Sequence, residues 1–488
     1  MNILYDAIVV GSGAGGSVVA AELSLRGLNV LLLEKGRELP RDGSTLDPAT
    51  VITEGRFKSR EAWRDGAGRS IVPEEYFNVG GKTKWYGAAL ARFPADAFGA
   101  DRDRMHRAWP IGRDDLDPYY ERIERTLDVR PFGCEPDLER LIDGMTKRSG
   151  WYAEPLPMGI AANIASDARE ATHFDGFASV RGMKGDAEER ILKPALARPN
   201  LTVMQGCPVK DLVGMGAPAP RVIGVRLEDG RSYRSRVVVL CAGALHSPRL
   251  LERFIAAQQL FMLPAARHIG RNLKLHLLTA VLAIGTRTIT DQLRKTRLLL
   301  NDAVPNSSAQ PLGFDGPLLA TLFPSVVPRP IAHAMARRAY GFFLQTEDGS
   351  HPHNRVTAAL ADDGVPTLDY DARRVPVAEA EHRELVRLLC RALAGARMMP
   401  FSKRIGIEGT AHVCGTLVAG EHPDESVVDG YGRVHGVSGV IVADGSVLPR
   451  ISRVNPALTI YAFALRAAER VAEEFASARR EVTGEMVR

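Results

Sequence analysis

Apolar residues along this chain are arranged in two ways. In the opening stretch MNILYDAIVVGSGAGGSVVAAELSLRGLNVLLLEKG they form short continuous runs, Asp6 to Val10 and Leu28 to Leu33, joined by a glycine-rich turn and a segment, Ser17 to Arg26, that Gly27 ends. Unbroken apolar runs of that length predict strands buried on both faces, and strand, helix, strand in this order predicts a parallel βαβ unit. Val237 to Cys241 repeats the signature and ends at Ala242-Gly243-Ala244, as a buried parallel strand entering a tight turn would; Leu201 to Val203 and Val222 to Leu227 also have strand content.

From about Leu277 to Arg404 the pattern weakens and prolines become frequent. Phe342 to Gln345, Arg355 to Leu360 and Thr367 to Asp371 are predicted as strands between turn residues, and Ala378 to Ala396 as a helix. Trp109 to Val129 predicts a turn followed by an amphipathic helix beginning at Pro118-Tyr119-Tyr120, and Arg181 to Pro199 a loop and a helix. Glu38 to Pro73 is charged and irregular, which predicts a surface excursion. At the other end, Asn455 stands at an N-cap and Pro456 at the first helical position, ahead of an apolar helix of about five turns.

A length of 488 residues predicts about two domains. Hydrophobic and charged fractions of 45% and 25% are those of a globular protein and exclude wholesale disorder. A net charge of +5, with short basic clusters such as Arg294 to Arg297 and Arg337 to Arg338 that lack interleaved aromatics, gives no reason to expect nucleic acid. Five scattered cysteines without C-x-x-C spacing indicate neither a disulfide framework nor a metal site. The first apolar run ends in the glycine turn and so reads as a strand, not a signal peptide, and no run reaches the roughly 18 residues of a membrane span. A cytoplasmic protein is expected.

The chemistry begins in the first turn. Gly11, Gly13 and Gly16 have G-x-G-x-x-G spacing directly after a strand: the first permits the tight turn, the second lets backbone approach a pyrophosphate, and the third lets helix and strand pack closely. Glu34, at the end of the second strand, is placed to accept hydrogen bonds from a ribose. Together these predict a dinucleotide site. The loop Tyr76 to Arg92 carries Gly80, Gly81 and Gly87 among small and aromatic residues, as where backbone passes a flat ligand. His412 lies in a glycine-bracketed loop, GTAHVCGTLVAG, and Asn455 heads a helix whose N-terminus would stabilise negative charge. Oxidising an alcohol by hydride transfer needs a base for the hydroxyl proton and a donor that holds the same oxygen. Histidine and asparagine supply both.

Over nearly its whole length the chain resembles the glucose-methanol-choline (GMC) flavoprotein oxidoreductases. The matching residues are Gly11 to Gly16 with Glu34, Asn78-Val-Gly-Gly81 running to Gly87, Val237 to Pro248, Ile269-Gly-Arg-Asn-Leu273, His412 to Thr416, and Val442 to Ile460. The resemblance implies an α/β fold: a Rossmann-like FAD-binding domain with a second α+β substrate domain on an antiparallel sheet, as in p-hydroxybenzoate hydroxylase. Expected boundaries are 1–95, 196–276 and 405–488 for the first domain, and 96–195 and 277–404 for the second. It further implies FAD contacts at Gly11, Gly13, Ala14, Gly16, Glu34, Lys35, Gly80, Gly81, Trp85, Tyr86, Gly87, Val209, Ala242, Gly243, Asp444, Gly445, Asn455 and Pro456, a base at His412 and a substrate-oxygen partner at Asn455.

Members with covalent flavin usually carry histidine where this chain has Trp85, so non-covalent FAD is expected. Tyr86 replaces a frequent asparagine and Val418 a frequent arginine. The W-P…L-x-P-Y-Y-E, K-G-D, H-P-H-N-R-V and S-V-V-D-G-Y-G-R-V-H stretches look like bacterial members that include aminoglycoside oxidases. The reading is oxidation of an alcohol on a sugar, amino sugar or polyol to an aldehyde or ketone, with hydride passing to flavin N5 and oxygen or another acceptor reoxidising the flavin. A hydroxynitrile-lyase-like enzyme and a non-catalytic flavin-binding protein are the alternatives.

Overall fold

The computed structural model describes residues 4–147, 150–324, 326–358, 364–409 and 411–485. Its first sheet is the predicted parallel one. Leu201–Met204, Val30–Leu33, Leu4–Val10 and Ser232–Leu240 lie side by side and parallel, and Val440–Val442 joins the far end of Ser232–Leu240. Val30–Leu33 is buried at every position, which explains why its sequence does not alternate. Arg221–Leu227 and Val209–Met215 extend the sheet antiparallel, a hairpin arm in which Val209–Met215 buries only Leu212 and so lacks the continuous apolar run of the inner strands. The Ala14–Leu25 helix packs beside Ala457–Glu485, and their buried faces share one core with the sheet.

A second, antiparallel sheet runs Met399–Ile405, Lys274–Ile284, Ala339–Glu347, Ser307–Pro311, Arg297–Asn301 and Trp151–Pro155. Only part of Ala339–Glu347 was expected. Lys274–Ile284 is almost wholly buried and so shows no alternation, and Ser307–Pro311, SSAQP, is polar because one of its faces lines the site described below. One face of this sheet is covered by the Pro376–Gly395 helix, which the pattern predicted over Ala378 to Ala396.

Two expectations need correction. The stretch 38–73 is not a mere surface excursion: Trp63–Asp65 and Ser70–Ile71 form a small sheet with Thr367–Asp369 and Arg355–Thr357, around buried Trp63 and Leu368. Thus the strands predicted near 355 and 367 do not belong to the large antiparallel sheet, and positions 359 and 360 of the first lie outside the described residues. The helix expected at Pro118 begins at Arg113, where the Asp115 carboxylate accepts from the Gly112 amide, leaving Pro118 inside it. Among the described residues no helix is long and apolar enough to cross a membrane.

Candidate active site

The C-terminal ends of the parallel strands carry the turns that matter, as expected where an α/β sheet binds ligand. Gly11 has φ +98°, and a Cβ there would meet the Cys241 carbonyl at 2.5 Å. A Cβ on Gly16 would stand 1.8 Å from the Gly11 carbonyl, so this glycine does set how closely helix and strand pack. Gly15 is equally constrained, 1.8 Å from the Ala443 carbonyl, a need invisible in the fingerprint because Ala443 comes from the other end of the chain. Gly13, by contrast, faces open space, as does Gly243 at φ +85°.

The second glycine loop lies on the first. The Gly80 amide donates to Ser12 Oγ at 3.0 Å, and a Cβ on Gly81 would touch Gly13 Cα at 3.1 Å. Ser12 is held by Glu34, whose Oε2 accepts from its amide (2.9 Å) and hydroxyl (2.6 Å), while Oε1 accepts from the Gly36 amide at 2.8 Å. A carboxylate has about four lone-pair sites, so Glu34 braces the turn with three and keeps capacity for one more donor. Asp444 fastens the opposite side. Its Oδ2 accepts from the Gly243 amide and Ser247 Oγ, and its Oδ1 from the Ser446 amide and hydroxyl. With both oxygens engaged, Asp444 clips the two turns together; the Ala242 amide donates to Ser247 Oγ at 3.1 Å, and a Cβ on Gly445 would meet the Val413 carbonyl oxygen at 3.1 Å.

Other residues of the expected cofactor set are placed differently. The Lys35 ammonium pairs with Glu61 at 2.8 Å and sits 3.8 Å above the Phe77 ring. The Trp85 indole donates to Asn78 Oδ1 at 2.9 Å and stacks on Tyr76 in an aromatic cluster, so the side chain that replaces the usual histidine is used in packing. Tyr86 donates through its hydroxyl to the Gly185 carbonyl, while its own carbonyl accepts from the buried Lys184 ammonium. Gly87 lies against the buried Asp175–Lys295 ion pair (2.9 Å), where a Cβ would stand 2.1 Å from Asp175 Oδ1. Val209 opens the antiparallel arm and pairs with Leu227. Ala14 begins the first helix and packs on the core.

His412 and Asn455 meet. Asn455 Nδ2 is 3.3 Å from His412 Nε2, and His412 Nδ1 is 2.7 Å from Nδ1 of His276. Register explains the second contact: Lys274 faces Cys414 and Leu275 faces Val413, so the next position sets residue 276 against residue 412. His276 escaped the sequence reading because it stands three residues beyond the Ile269-to-Leu273 motif, in a mostly apolar stretch that carries no motif of its own. Burial first, then His276, Lys295 and Lys82, push His412 well below its ordinary 6.5. The ring is therefore neutral at neutral pH.

One face of the antiparallel sheet holds the chain from 450 to 455 rung by rung. Glu347 accepts from Arg450 and from the Ser452 amide (3.0 Å); Gln345 Nε2 and Ser308 Oγ donate to the Arg453 carbonyl at 2.9 and 2.7 Å; and Gln310 Nε2 donates to Asn455 Oδ1 at 2.6 Å. Alternation along the strands puts these side chains on one face. Asn455 is therefore not the cap that the sequence suggested: the Ala457–Glu485 helix starts one residue later than expected, the Ile460 amide donates to the Pro456 carbonyl, and the Asn455 side chain turns to Gln310 and His412. Pro456 is buried beside it.

Glycine turns at positive φ, open space at Gly13 and Gly243, and a residual acceptor on Glu34 fit a bound dinucleotide. Known proteins agree. Two segments of the chain, 5–278 and 350–464, match GMC oxidoreductase. The chain is 29% identical to a 6'''-hydroxyparomomycin C oxidase of Streptomyces lividus, covering 98% of this chain and 93% of that one, and 29% identical to a paromamine 6'-oxidase of Streptomyces fradiae, covering 97% and 92%. The crystal structure of a pyridoxine 4-oxidase from Mesorbium loti has the same fold, with a TM-score of 0.69 over 96% of this chain and 99% of that one at 21% identity.

Proposed function

This chain belongs to the GMC oxidoreductase family, and from that premise we propose that it oxidises the CH–OH group of a sugar, amino sugar or related polyol, with His412 as the base and Asn455 as the partner of the substrate oxygen. The cofactor is FAD, held without a covalent bond. When bound, FAD supplies the two-electron acceptor for the hydride that leaves the carbon.

The observation that carries the reading is the 3.3 Å approach of Asn455 Nδ2 to His412 Nε2. A hydroxyl oxygen entering at that contact accepts from Nδ2 and donates its proton to Nε2. His412 takes that proton as the carbon loses hydride, and the C–O bond becomes a carbonyl: one proton and one hydride leave, so the charges balance. A neutral imidazole is needed for this and is what burial provides. Gly13 and Gly243, which face open space, would let backbone approach the dinucleotide, Glu34 would accept a ribose hydroxyl, and the first turn of the Ala14–Leu25 helix would face the pyrophosphate.

The amino-sugar assignment within this class rests on relatives whose names describe aminoglycoside oxidation. The test is the visible spectrum of the purified protein, followed without oxygen while amino sugars, neutral sugars, pyridoxine, choline and simple alcohols are added in turn. Bleaching by amino or neutral sugars is the expected result. A flavin bleached only by pyridoxine or simple alcohols would overturn the substrate class, and a flavin that nothing bleaches would overturn the reaction. Admitting air then shows the acceptor: rapid return of colour with hydrogen peroxide means oxygen, and slow return means another carrier.

A further inference from the structure

His276 is fully surrounded by protein, and both its ring nitrogens have defined partners: Nε2 lies 2.8 Å from the Ser452 carbonyl oxygen and Nδ1 lies 2.7 Å from His412 Nδ1. We propose that His276 is a positioning residue that sets the tautomer of His412, holding the proton on Nδ1 and leaving Nε2 bare as the basic nitrogen towards Asn455. The inference deepens the proposed reaction and rests on it for its kinetic meaning.

A carbonyl oxygen only accepts, so the nitrogen facing it must carry hydrogen; a bare Nε2 at 2.8 Å would oppose two lone pairs. Burial pushes His276 down to about 4, so near neutral pH it is neutral and carries one hydrogen only. Its Nδ1 is then an acceptor. At 2.7 Å the facing nitrogen must be a donor, so His412 carries its hydrogen on Nδ1. A neutral His412 therefore has a bare Nε2.

The opposite end agrees independently. Gln310 Nε2 donates to Asn455 Oδ1, which leaves the amide's Nδ2 facing His412 Nε2. Two donors at 3.3 Å would repel, so a bare Nε2 suits this side too. The chain of bonds has one direction: the Ser452 carbonyl accepts from His276, His276 accepts from His412, and His412 accepts from Asn455 or, in its place, a substrate hydroxyl. Its far end is anchored where Ser452 adopts φ +66° and donates its amide to Glu347, which also pairs with Arg450. A strained residue held from both sides is what keeps that carbonyl aimed.

Long-range proton–nitrogen spectra of the flavin-loaded protein with 15N-labelled histidine test this directly. His412 should show a protonated Nδ1 and a bare Nε2, assigned by loss of its signals in His412→Gln. His276→Phe keeps a ring but removes the acceptor, so His412 should move to the Nε2-protonated form or to a mixture. His276→Asn restores an acceptor near the Nδ1 position and should restore the native form. Flavin reduction should slow about 10-fold to 100-fold in His276→Phe, the range known for partners that fix the tautomer of metal-bound histidines, with most of the loss recovered in His276→Asn. An Nε2-protonated His412 in the native protein, or an unchanged tautomer in His276→Phe, would overturn the inference. If His276→Phe does not fold, the native tautomer and the His276→Asn spectrum still decide. If no alcohol reduces the flavin, the proposed reaction fails while the tautomer measurement keeps its meaning.

Discussion

Gln310 Nε2 donates to Asn455 Oδ1 at 2.6 Å, and this contact decides which end of the Asn455 amide His412 meets. Gln310 belongs to a short polar strand whose neighbour Ser308, two residues back on the same face, fastens the Arg453 carbonyl. The antiparallel sheet thus holds Asn455, the proposed partner of the substrate oxygen, in orientation as well as in place.

Replacing Gln310 with leucine removes that constraint and leaves the fold's larger contacts intact. One hydrogen bond of this kind contributes about 0.5 to 1.5 kcal/mol, so flavin reduction should slow about threefold to tenfold. Stopped-flow absorbance with a bleaching alcohol measures it, and an unchanged rate would mean that Asn455 orients itself.

Loss of the proposed base should matter far more. His412→Ala is expected to slow flavin reduction by about 10² to 10⁴-fold with the flavin still bound, the usual effect of removing a general base. A variant reduced at the native rate would take His412 out of the mechanism.

The pH dependence follows from the direction of the His412 shift. In the proposed reaction the active form is the neutral ring, and its pKa lies well below 6.5 because of burial, with His276, Lys295 and Lys82 adding to the effect. The reductive rate should therefore be flat from neutrality down past pH 6.5 and fall only at more acid pH. A decline already centred at 6.5 or above would contradict the buried, neutral base.

Stability should respond to acid with the same sign. His276 and His382 are held neutral by burial, at about 4 and about 3, whereas in the unfolded chain they take up protons near 6.5. The unfolded state binds more protons below 6.5, so each residue's contribution is complete above 6.5 and is lost as pH falls towards its folded value. By pH 5.5 the loss is about 1 kcal/mol for each. Thermal midpoints taken between pH 7.5 and 5.5 should show it; a constant midpoint would mean that these rings are charged in the fold.

The glycines of the first turn separate packing from binding. Gly16→Ala places a methyl 1.8 Å from the Gly11 carbonyl and should prevent correct folding, whereas Gly13→Ala meets nothing within 4 Å in the protein and should fold but bind FAD more weakly. Circular dichroism and flavin content of the two variants distinguish them, and a flavin-replete Gly13→Ala would show that the pyrophosphate does not approach there.

The strand, glycine turn and helix of residues 4 to 25 were legible in the sequence because each depends on neighbours a few positions away: a buried parallel strand is continuously apolar, and a turn at φ +98° needs glycine whatever surrounds it. Much of the antiparallel sheet was not. Lys274–Ile284 is buried on both faces and loses the alternation that marks a strand, and Ser307–Pro311 is polar where it lines the site, so both break the pattern by which strands are recognised.

The same division runs through the site. By itself the sequence determined the dinucleotide turn and marked His412 and Asn455 as the residues to watch, since their types and local settings already suit proton removal and oxygen binding. Tertiary structure alone decided that His276, 136 residues from His412, faces it through strand register, that Asn455 turns away from its helix to Gln310, and that Gly15 must yield to Ala443. Those contacts join positions between 136 and 428 residues apart, and no local pattern records them: they are set by which strand lies beside which, and by the alternation that puts facing side chains on one surface.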